Sequence, residues 1–189
     1  MTRLILASAS PRRLTLLAQI GVTPDEVIAT NIDESVRPDE TPRQLALRLA
    51  HAKAEAAGID DAIVIAADTV VAVGRRILPK GETEADARMC LKLLSGRGHR
   101  VFTGVAVRWG GKTRARLVET RVRFRVLSPA DIEMYVASGE WEGKAGGYAL
   151  QGMAGRFITQ LVGSYTSVIG LPLYETSTLL DAAFAETRR

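Results

Sequence analysis

Residues 62–73 limit the possible fold more than any other segment, because ten of the twelve are apolar. A run that is apolar at successive positions, without alternation, predicts a strand covered on both faces. Asp68 and Thr69 interrupt the run, so we expect a strand over 62–67, a break at this pair and a second apolar segment from Val70. Leu4–Ala7 is a shorter run of the same kind. Such strands need helices on both faces of their sheet, which predicts a mixed α/β protein.

Helix starts are marked at several places by a Ser or Thr followed by Pro. Ser10-Pro11, Thr41-Pro42 and Ser128-Pro129 each combine an N-cap residue with Pro at the first helical position. Thr41 and Gln44 also form a capping-box pattern. The helical period predicts an inner stripe for the first two helices, made of Leu14, Leu17 and Ala18, and of Leu45, Leu49, Ala52 and Ala56.

The second half of the chain adds helices and long strands. The period predicts a helix over 82–94 with Cys90 on its inner face, and two strands over 101–109 and 117–127 flank the turn at Gly110-Gly111. No linker or repeat is present, so residues 1–189 are predicted to form a single domain. We expect a central twisted mixed sheet flanked by helices, with two lobes around a cleft.

Composition excludes several classes of protein. One cysteine permits no internal disulfide and fits a reducing compartment, and two histidines with one cysteine argue against a structural zinc site. No apolar run reaches the roughly 18–20 residues of a membrane span, and the apolar N-terminus is too short for a signal peptide. We therefore expect a cytoplasmic protein without membrane contact. The net charge of +4, to which Arg188 and Arg189 contribute, favours anionic partners without choosing among them.

The segment from Ser8 to Arg13 is a candidate phosphate site. A helix N-terminus carries partial positive charge, and yet its first turn here holds Arg12 and Arg13. Each misplaced cation costs about 0.3–1 kcal/mol unless it is neutralised. A bound phosphate would reverse the sign, because backbone amides, hydroxyls and guanidinium groups would all point to one anion. The alternative is that both arginines are solvated or paired with acidic neighbours.

Two carboxylates are candidates for metal or proton chemistry. A buried Asp68 must be paired, bound to a metal or placed at a strand end facing a cleft. Glu34, in an acidic loop, could join it in holding Mg²⁺ beside a polyphosphate, and one carboxylate could take a proton from water. The alternatives are a structural turn or cap for Asp68 and a solvated loop position for Glu34.

Other polar residues carry weaker signals. Lys53 flanks an apolar stripe, where a lysine usually extends to water, and Lys80 lies in a short connector where it could reach a phosphate or be exposed. Residues 96–100, GRGHR, lack the glycine spacing of a Walker A or dinucleotide loop. His99 is expected to be structural, and Cys90, on a core face, is rejected as a nucleophile.

Taken together, several segments make the chain resemble the Maf family of nucleotide pyrophosphatases. The matching pieces run nearly from end to end: SASPRR (8–13), IDE (32–34), AADTVV (66–71), LSGRGHRVFTGV (94–105), EW (140–141), KAGGY (144–148), QG (151–152), GSY (163–165) and GLPL (170–173). Each piece is short, but their order and spacing are specific as a set.

The resemblance implies a Maf/ITPase-like fold, often a homodimer, and metal-dependent hydrolysis of nucleoside triphosphates to the monophosphate and pyrophosphate. It implies that Asp68 is the proton acceptor and that Mg²⁺ or Mn²⁺ is held by Glu34 and Asp68. The remaining positions implied to handle phosphate and metal are Ser8, Arg12, Arg13, Lys53 and Lys80.

Three positions resemble the branch of the family that acts on dTTP and UTP. These are Arg12, Thr69 and Gln151, whereas the sister branch that acts on 7-methyl-GTP differs after the Asp and near the Gln. The amide of Gln151 suits the alternating acceptor, donor and acceptor of a uracil or thymine edge. Gly81 departs from the family's usual Pro after the lysine, and we expect a looser loop that holds Lys80 less firmly.

Two other classes of function compete with hydrolysis. The basic balance would suit a nucleic-acid-binding module, but aromatic residues make up only 5% and do not alternate with basic ones as stacking would require. A regulatory protein that binds nucleotides without turnover, as in arrest of cell division, would share the phosphate-binding motifs. The paired carboxylates favour hydrolysis, in keeping with the nucleotide-pool house-cleaning expected of such an enzyme.

Overall fold

In a computed structural model that describes residues 2–187, seven strands form one mixed sheet. Its strand order is β2-β1-β3-β5-β6-β7, and β4 pairs with β3. Met1, Arg188 and Arg189 lie outside the described residues. The strands are β1 (Arg3–Ala7), β2 (Glu26–Ile28), β3 (Ala62–Val73), β4 (Arg76–Ile77), β5 (Gly98–Trp109), β6 (Lys112–Phe124) and β7 (Ile158–Val162). The helices are α1 (Pro11–Gln19), α2 (Pro42–Ala56), α3 (Glu84–Leu94), α4 (Pro129–Ala137), a 3₁₀ helix (Met153–Phe157), α5 (Tyr165–Ile169) and α6 (Leu173–Thr187).

The mixed α/β prediction is confirmed, but the predicted break inside the apolar run is wrong. β3 continues through the polar pair, with Asp68 opposite Gly104 and Thr69 opposite Thr103 in an unbroken antiparallel ladder with β5. Both polar side chains find partners inside the protein, Asp68 in Lys53 and Thr69 in Thr103. Because both polar side chains are satisfied, the strand can continue through this pair without leaving the sheet.

A gap in the sheet opens beside the middle of β3. The parallel pairing of β1 with β3 ends at Ala7 and Ala66, and the pairing of β4 with β3 begins only at Ala72. Residues 67–71 cross this interval, and the chain leaving β1 turns there into α1. The gap places the polar part of β3 beside the N-terminus of a helix.

Helices cover both faces of the sheet. α2 packs against β3 and β5, where Leu45 and Leu49 are buried with Phe102. A Cβ at Gly104 would lie 2.9 Å from the backbone carbonyl carbon of Ala46, so only glycine permits this close approach. On the opposite face, α1 and α6 bury leucines against β1, β3 and β5. A second large cluster joins α3 and α4 to the far ends of the long strands.

The helix starts are confirmed, whereas two inner stripes are wrong. In α1 the buried residues are Arg13, Leu16 and Leu17, and Leu14 is exposed, because Arg13 is anchored inward by polar contacts. In α2 the stripe continues from Leu49 to Lys53, and residues 52 and 56 are not buried. In each case a buried cation replaces an apolar residue that the period alone predicted.

Other boundaries differ from the predictions by a few residues. β5 begins at Gly98 and β6 spans Lys112–Phe124, so the predicted strand 117–127 starts too late. β2, α5 and the 3₁₀ helix were not predicted, since each is only three to five residues long. None of the described helices has the length and hydropathy needed to cross a bilayer.

Candidate active site

A polar cleft of about 430 Å³ lies at the gap in the sheet. Its wall is formed by the chain after β1, by the middle of β3, by the loop over 142–151 and by the end of α5 with Gly170. All nine residues predicted to act on substrate or metal line it: Ser8, Arg12, Arg13, Glu34, Lys53, Asp68, Thr69, Lys80 and Gln151. Residues 96–100, the GRGHR segment, do not line this cleft.

The N-terminus of α1 reaches the cleft without a side-chain cap. Ser10 is the N-cap residue, but its side chain makes no capping hydrogen bond. The helices α2, α3 and α4 each close a complete capping box. The partial positive charge of a helix end without such a cap attracts an anion.

Ser8 and Arg13 form a rigid pair beside this helix end. The Oγ of Ser8 accepts from the Ser10 amide at 3.1 Å and from the Arg13 guanidinium at 2.9 Å. Arg13 also donates from Nε to the Gly170 carbonyl at 2.8 Å. Since the Ser8 oxygen already accepts twice, its own proton is the part of the hydroxyl left for a ligand.

The two arginines of the first turn differ in their roles. Arg13 is buried, and burial lowers its pKa while the charge of Asp68 partly offsets that effect. Arg12 is only half-buried in the wall of the cleft, with one longer contact from Nε to the Ile169 carbonyl at 3.4 Å. Arg12 is therefore the freer of the two to move onto a substrate.

Lys53 and Asp68 form a buried ion pair across the interface of α2 and β3. The Lys53 Nζ lies 2.6 Å from Oδ1 of Asp68, and both side chains are at most one-tenth exposed. Lys53 follows Leu49 by four residues, so the apolar stripe of α2 delivers it directly onto the strand. The expectation that this lysine extends to water is wrong, because a buried carboxylate lies within its reach.

Glu34 joins the pair to a second lysine. Its carboxylate lies 2.7 Å from Lys53 Nζ and 2.5 Å from Lys80 Nζ. Burial alone would raise the pKa of Glu34, but the hydrogen bonds from both lysines outweigh it and lower the pKa to about 2. The result is a continuous row of alternating charge along the cleft, from Asp68 through Lys53 and Glu34 to Lys80.

The donor chemistry of this row fits a divalent cation that arrives with phosphate. Among the described residues there is no group of three or more His, Cys, Asp or Glu placed to hold a metal. Two carboxylates, Glu34 and Asp68, do face the same cleft, and Mg²⁺ commonly takes one or two carboxylates together with substrate phosphates and water. These residues fit such an ion as partial ligands.

The loop carrying Lys80 is held firmly, contrary to the expectation from Gly81. The Gly81 amide donates to the Lys144 carbonyl at 3.0 Å, and its carbonyl accepts from the Gly143 amide at 2.8 Å. A Cβ at Gly81 would come within 2.6 Å of the Trp141 carbonyl oxygen. The glycine permits close packing here and does not loosen the loop.

One cationic residue of the cleft was missed from sequence. Lys144 lines the cleft, and burial lowers its pKa. Its position within the glycine-rich segment 143–147 is the signal that could have found it. With Lys144 and Glu142 included, five cationic and three anionic side chains line the cleft.

Part of the cleft lining is less polar. It includes Val71, Tyr148, Ala149 and Leu150, and the exposed Gln151 also lines the cleft. Behind this wall the hydroxyl of Tyr148 lies 2.8 Å from Nε2 of His99. His99 is buried and lies outside the cleft lining, as its predicted structural role requires.

Cys90 also has the structural surroundings expected of it. It is buried on the inner face of α3, and burial raises the pKa of its thiol to about 11. A thiol held protonated in this way is a poor nucleophile.

The chain was compared with known protein families, curated proteins and solved structures. A family profile described as "Maf-like protein" matches residues 3–183. The chain is 64% identical over 180 residues to a dTTP/UTP pyrophosphatase of Maricaulis maris (strain MCS10), covering 94% of this chain and 86% of that one. It is 65% identical over 181 residues to a dTTP/UTP pyrophosphatase of Caulobacter vibrioides, covering 94% of each chain. Among solved structures, the Staphylococcus aureus Ham1 protein aligns with a TM-score of 0.46 at 16% identity, over 65% of this chain and 72% of that one.

Proposed function

The chain belongs to the Maf-like protein family, and we propose that it hydrolyses dTTP and UTP to the nucleoside monophosphate and pyrophosphate. The relatives named dTTP/UTP pyrophosphatase, at 64% and 65% identity, support this assignment. The observation that carries it is the meeting, in one cleft, of a buried carboxylate, a row of lysines and a helix N-terminus without a side-chain cap.

The cationic side of the cleft suits a triphosphate. Five cationic side chains face three anionic ones there, and two of the anions are already engaged by lysines. Arginine forks and helix amides at the start of α1 can hold phosphate oxygens, and lysines act as mobile point charges. We assign Ser8, Arg12 and Arg13 to phosphate binding, and Lys53 and Lys80 to neutralising charge that develops on the phosphoryl oxygens.

Asp68 is assigned as the general base. Its carboxylate takes a proton from water while the water oxygen forms a bond to the α-phosphorus. The bond from the α-phosphorus to the bridging oxygen breaks, and pyrophosphate leaves. Lys53, 2.6 Å away, orients the carboxylate and supplies the opposite charge that a buried carboxylate needs.

A divalent cation, Mg²⁺ or Mn²⁺, belongs to this proposal. Glu34 and Asp68 would be its protein ligands. When bound, the cation supplies positive charge to the phosphate oxygens. Since Lys53 bridges the same two carboxylates, it would share them with the cation or shift towards the phosphates.

Selection of the base is assigned to Thr69 and Gln151, which both line the cleft. An amide in the lining can both donate to and accept from the edge of a uracil or thymine ring. The proposal also includes a cytoplasmic location and a homodimer. Sedimentation of the purified protein measures the oligomeric state directly.

A substrate panel tests the proposal. Purified protein with Mg²⁺ or Mn²⁺ should release pyrophosphate from dTTP and UTP faster than from CTP or 7-methyl-GTP. Asp68→Asn should lower turnover by about 10²-fold or more. Asp61→Asn is the matched control, because Asp61 is exposed and pairs with Arg3 at the surface.

Two results would contradict the assignment. Release of pyrophosphate from none of the four nucleotides would remove the activity, and a thermal shift with dTTP under the same conditions would then favour a nucleotide-binding regulator. Undiminished turnover by Asp68→Asn would keep the activity but exclude Asp68 as its base.

A further inference from the structure

The hydroxyl of Thr69, in the wall of the cleft, is hydrogen-bonded to a second threonine that lies outside the cleft lining. Thr69 and Thr103 lie opposite each other on β3 and β5, and their Oγ1 atoms are 3.0 Å apart. Thr103 is fully buried and does not line the cleft. Either hydroxyl could donate in an isolated pair, so a third group must decide the direction.

That third group is the backbone carbonyl of Ser167. It lies 2.8 Å from Oγ1 of Thr103, and a carbonyl can only accept. Ser167 is fully buried in the short helix α5, and the amides of Gly170 and Leu171, which follow it, both donate to Thr166 instead. Thr103 therefore supplies the hydrogen bond that this buried carbonyl needs, and withdrawing it would leave the carbonyl unpaired.

A hydroxyl has one proton, so the direction of the next bond follows. Thr103 donates to the carbonyl of Ser167 and must accept from Thr69. Thr69 in turn donates its only hydroxyl proton to Thr103. Towards the cleft, the Thr69 oxygen can only accept a hydrogen bond.

We propose that Thr103 is a specificity-determining residue, which acts by holding Thr69 as an obligate acceptor for the imide N3–H of a uracil or thymine ring. The inference deepens the proposed function and rests on it for the identity of the substrate. Cytosine presents an acceptor at N3 where uracil presents a donor, and two facing acceptors repel. A fixed acceptor in the wall therefore rejects CTP, whereas a freely rotating hydroxyl would tolerate both rings.

The surroundings of Thr69 leave room for such a contact. Gly170 stands in the cleft wall beside it, and a Cβ at that glycine would lie 3.8 Å from the Thr69 Oγ1. The absence of a side chain there keeps one approach to the oxygen open.

The test compares the wild type with Thr103→Val and Thr103→Ser. The valine cannot donate or accept, so Thr69 regains a free proton, and the ratio of kcat/KM for UTP over CTP should fall about tenfold. The serine keeps the hydroxyl and should keep the ratio within about twofold. A merely structural role for Thr103 would lower kcat/KM for both nucleotides together and leave their ratio unchanged, and that result would overturn the proposal.

Two further nucleotides identify the donor that Thr69 accepts. UTP methylated at N3 should be a poor substrate of the wild type and lose less relative to UTP in Thr103→Val. The ratio for UTP over dUTP should stay unchanged in the variant. If that ratio changes while UTP over CTP does not, the accepted donor is a sugar hydroxyl and the assignment to the base is wrong.

Folding and the proposed activity are controlled separately. If Thr103→Val fails to fold, Thr103→Cys provides a side chain of similar size whose thiol donates weakly, and the same fall in the ratio is expected. If the wild type hydrolyses no nucleotide, the proposed function fails, and calorimetric binding of UMP and CMP to the same variants still measures the preference. Equal affinity of the wild type for UMP and CMP would overturn the inference itself.

Discussion

Burial of His99 should make the stability of the protein depend on pH between about 6.5 and 4. His99 is 3% exposed and packs edge-on against the rings of Phe124 and Tyr148. Its Nε2 faces the Tyr148 hydroxyl, and Nδ1 has no hydrogen-bond partner among the described residues. Burial lowers the pKa of the imidazole from 6.5 to about 4, because the cation would have no compensating charge.

The sign and size of the effect follow from the protons bound in each state. Between pH 6.5 and 4 the unfolded chain binds a proton at His99 and the native protein does not, so stability falls as the pH falls. Each unit of pKa is worth about 1.4 kcal/mol, which makes the total about 3 kcal/mol at pH 4 and below. Between pH 7 and pH 5 the loss should be about 2 kcal/mol.

Urea unfolding of the wild type and of His99→Gln at pH 7 and pH 5 measures this loss. The glutamine can still reach the Tyr148 hydroxyl but does not titrate, so its free energy of unfolding should change by about 2 kcal/mol less over the same interval. His51→Gln is the matched control, since His51 is the other histidine of the chain and is exposed on α2. Equal pH dependence in the wild type and His99→Gln would refute the reasoning.

Three other changes test the packing and charge of the site. Lys53→Met should lower the free energy of unfolding by about 3–5 kcal/mol, because it leaves a buried carboxylate unpaired. Lys80→Met, at a side chain that is 46% exposed, should lower it by less than about 1 kcal/mol. Equal losses of the two variants in urea unfolding would contradict the buried pairing of Lys53. Gly104→Ala should lower the free energy of unfolding by about 1–3 kcal/mol, because the added methyl group presses against the backbone of α2. Gly98→Ala, whose methyl group would meet nothing within 4 Å, should change it by less than about 0.5 kcal/mol. Equal melting temperatures of the two variants would exclude the close contact at Gly104. The Glu34 pKa is lowered to about 2, so the wild type loses stability at this residue as the pH falls from 4.5 towards about 2. Glu34→Gln lacks the titrating group and should not show this loss. Parallel acid-unfolding curves for the two proteins would show that the carboxylate is not stabilised by its lysines.

The starts of the helices could be predicted because their determinants are local. The N-cap residue and the Pro of α2 and α4 lie side by side in the chain, and their hydrogen bonds span three residues. The short elements β2 and α5 escaped prediction, since each is too brief to show a period. Their place depends on neighbours in the sheet and core.

The residues that line the cleft could be predicted from the sequence, because residue types at unusual positions marked them and because their motifs resemble those of a known family. An aspartate inside an apolar run and arginines at a helix N-terminus both violate local preference, and such violations point to a site. The hydrogen-bond and ion-pair partners of these residues could not be predicted from the sequence. Arg13 turns inward because of a carbonyl 157 positions away at Gly170, and Lys53 is buried because Asp68 faces it across the packed helix and strand.

Sequence by itself therefore determined where α1, α2 and α4 begin and which polar groups are out of place, because these follow from interactions within a few residues. Only the tertiary structure decided that β3 runs unbroken through Asp68 and that Thr69 gives its proton to Thr103, 34 residues further along the chain. The energy of a buried charge or hydroxyl depends on the partner that packing brings to it, and no local pattern in the chain specifies that partner.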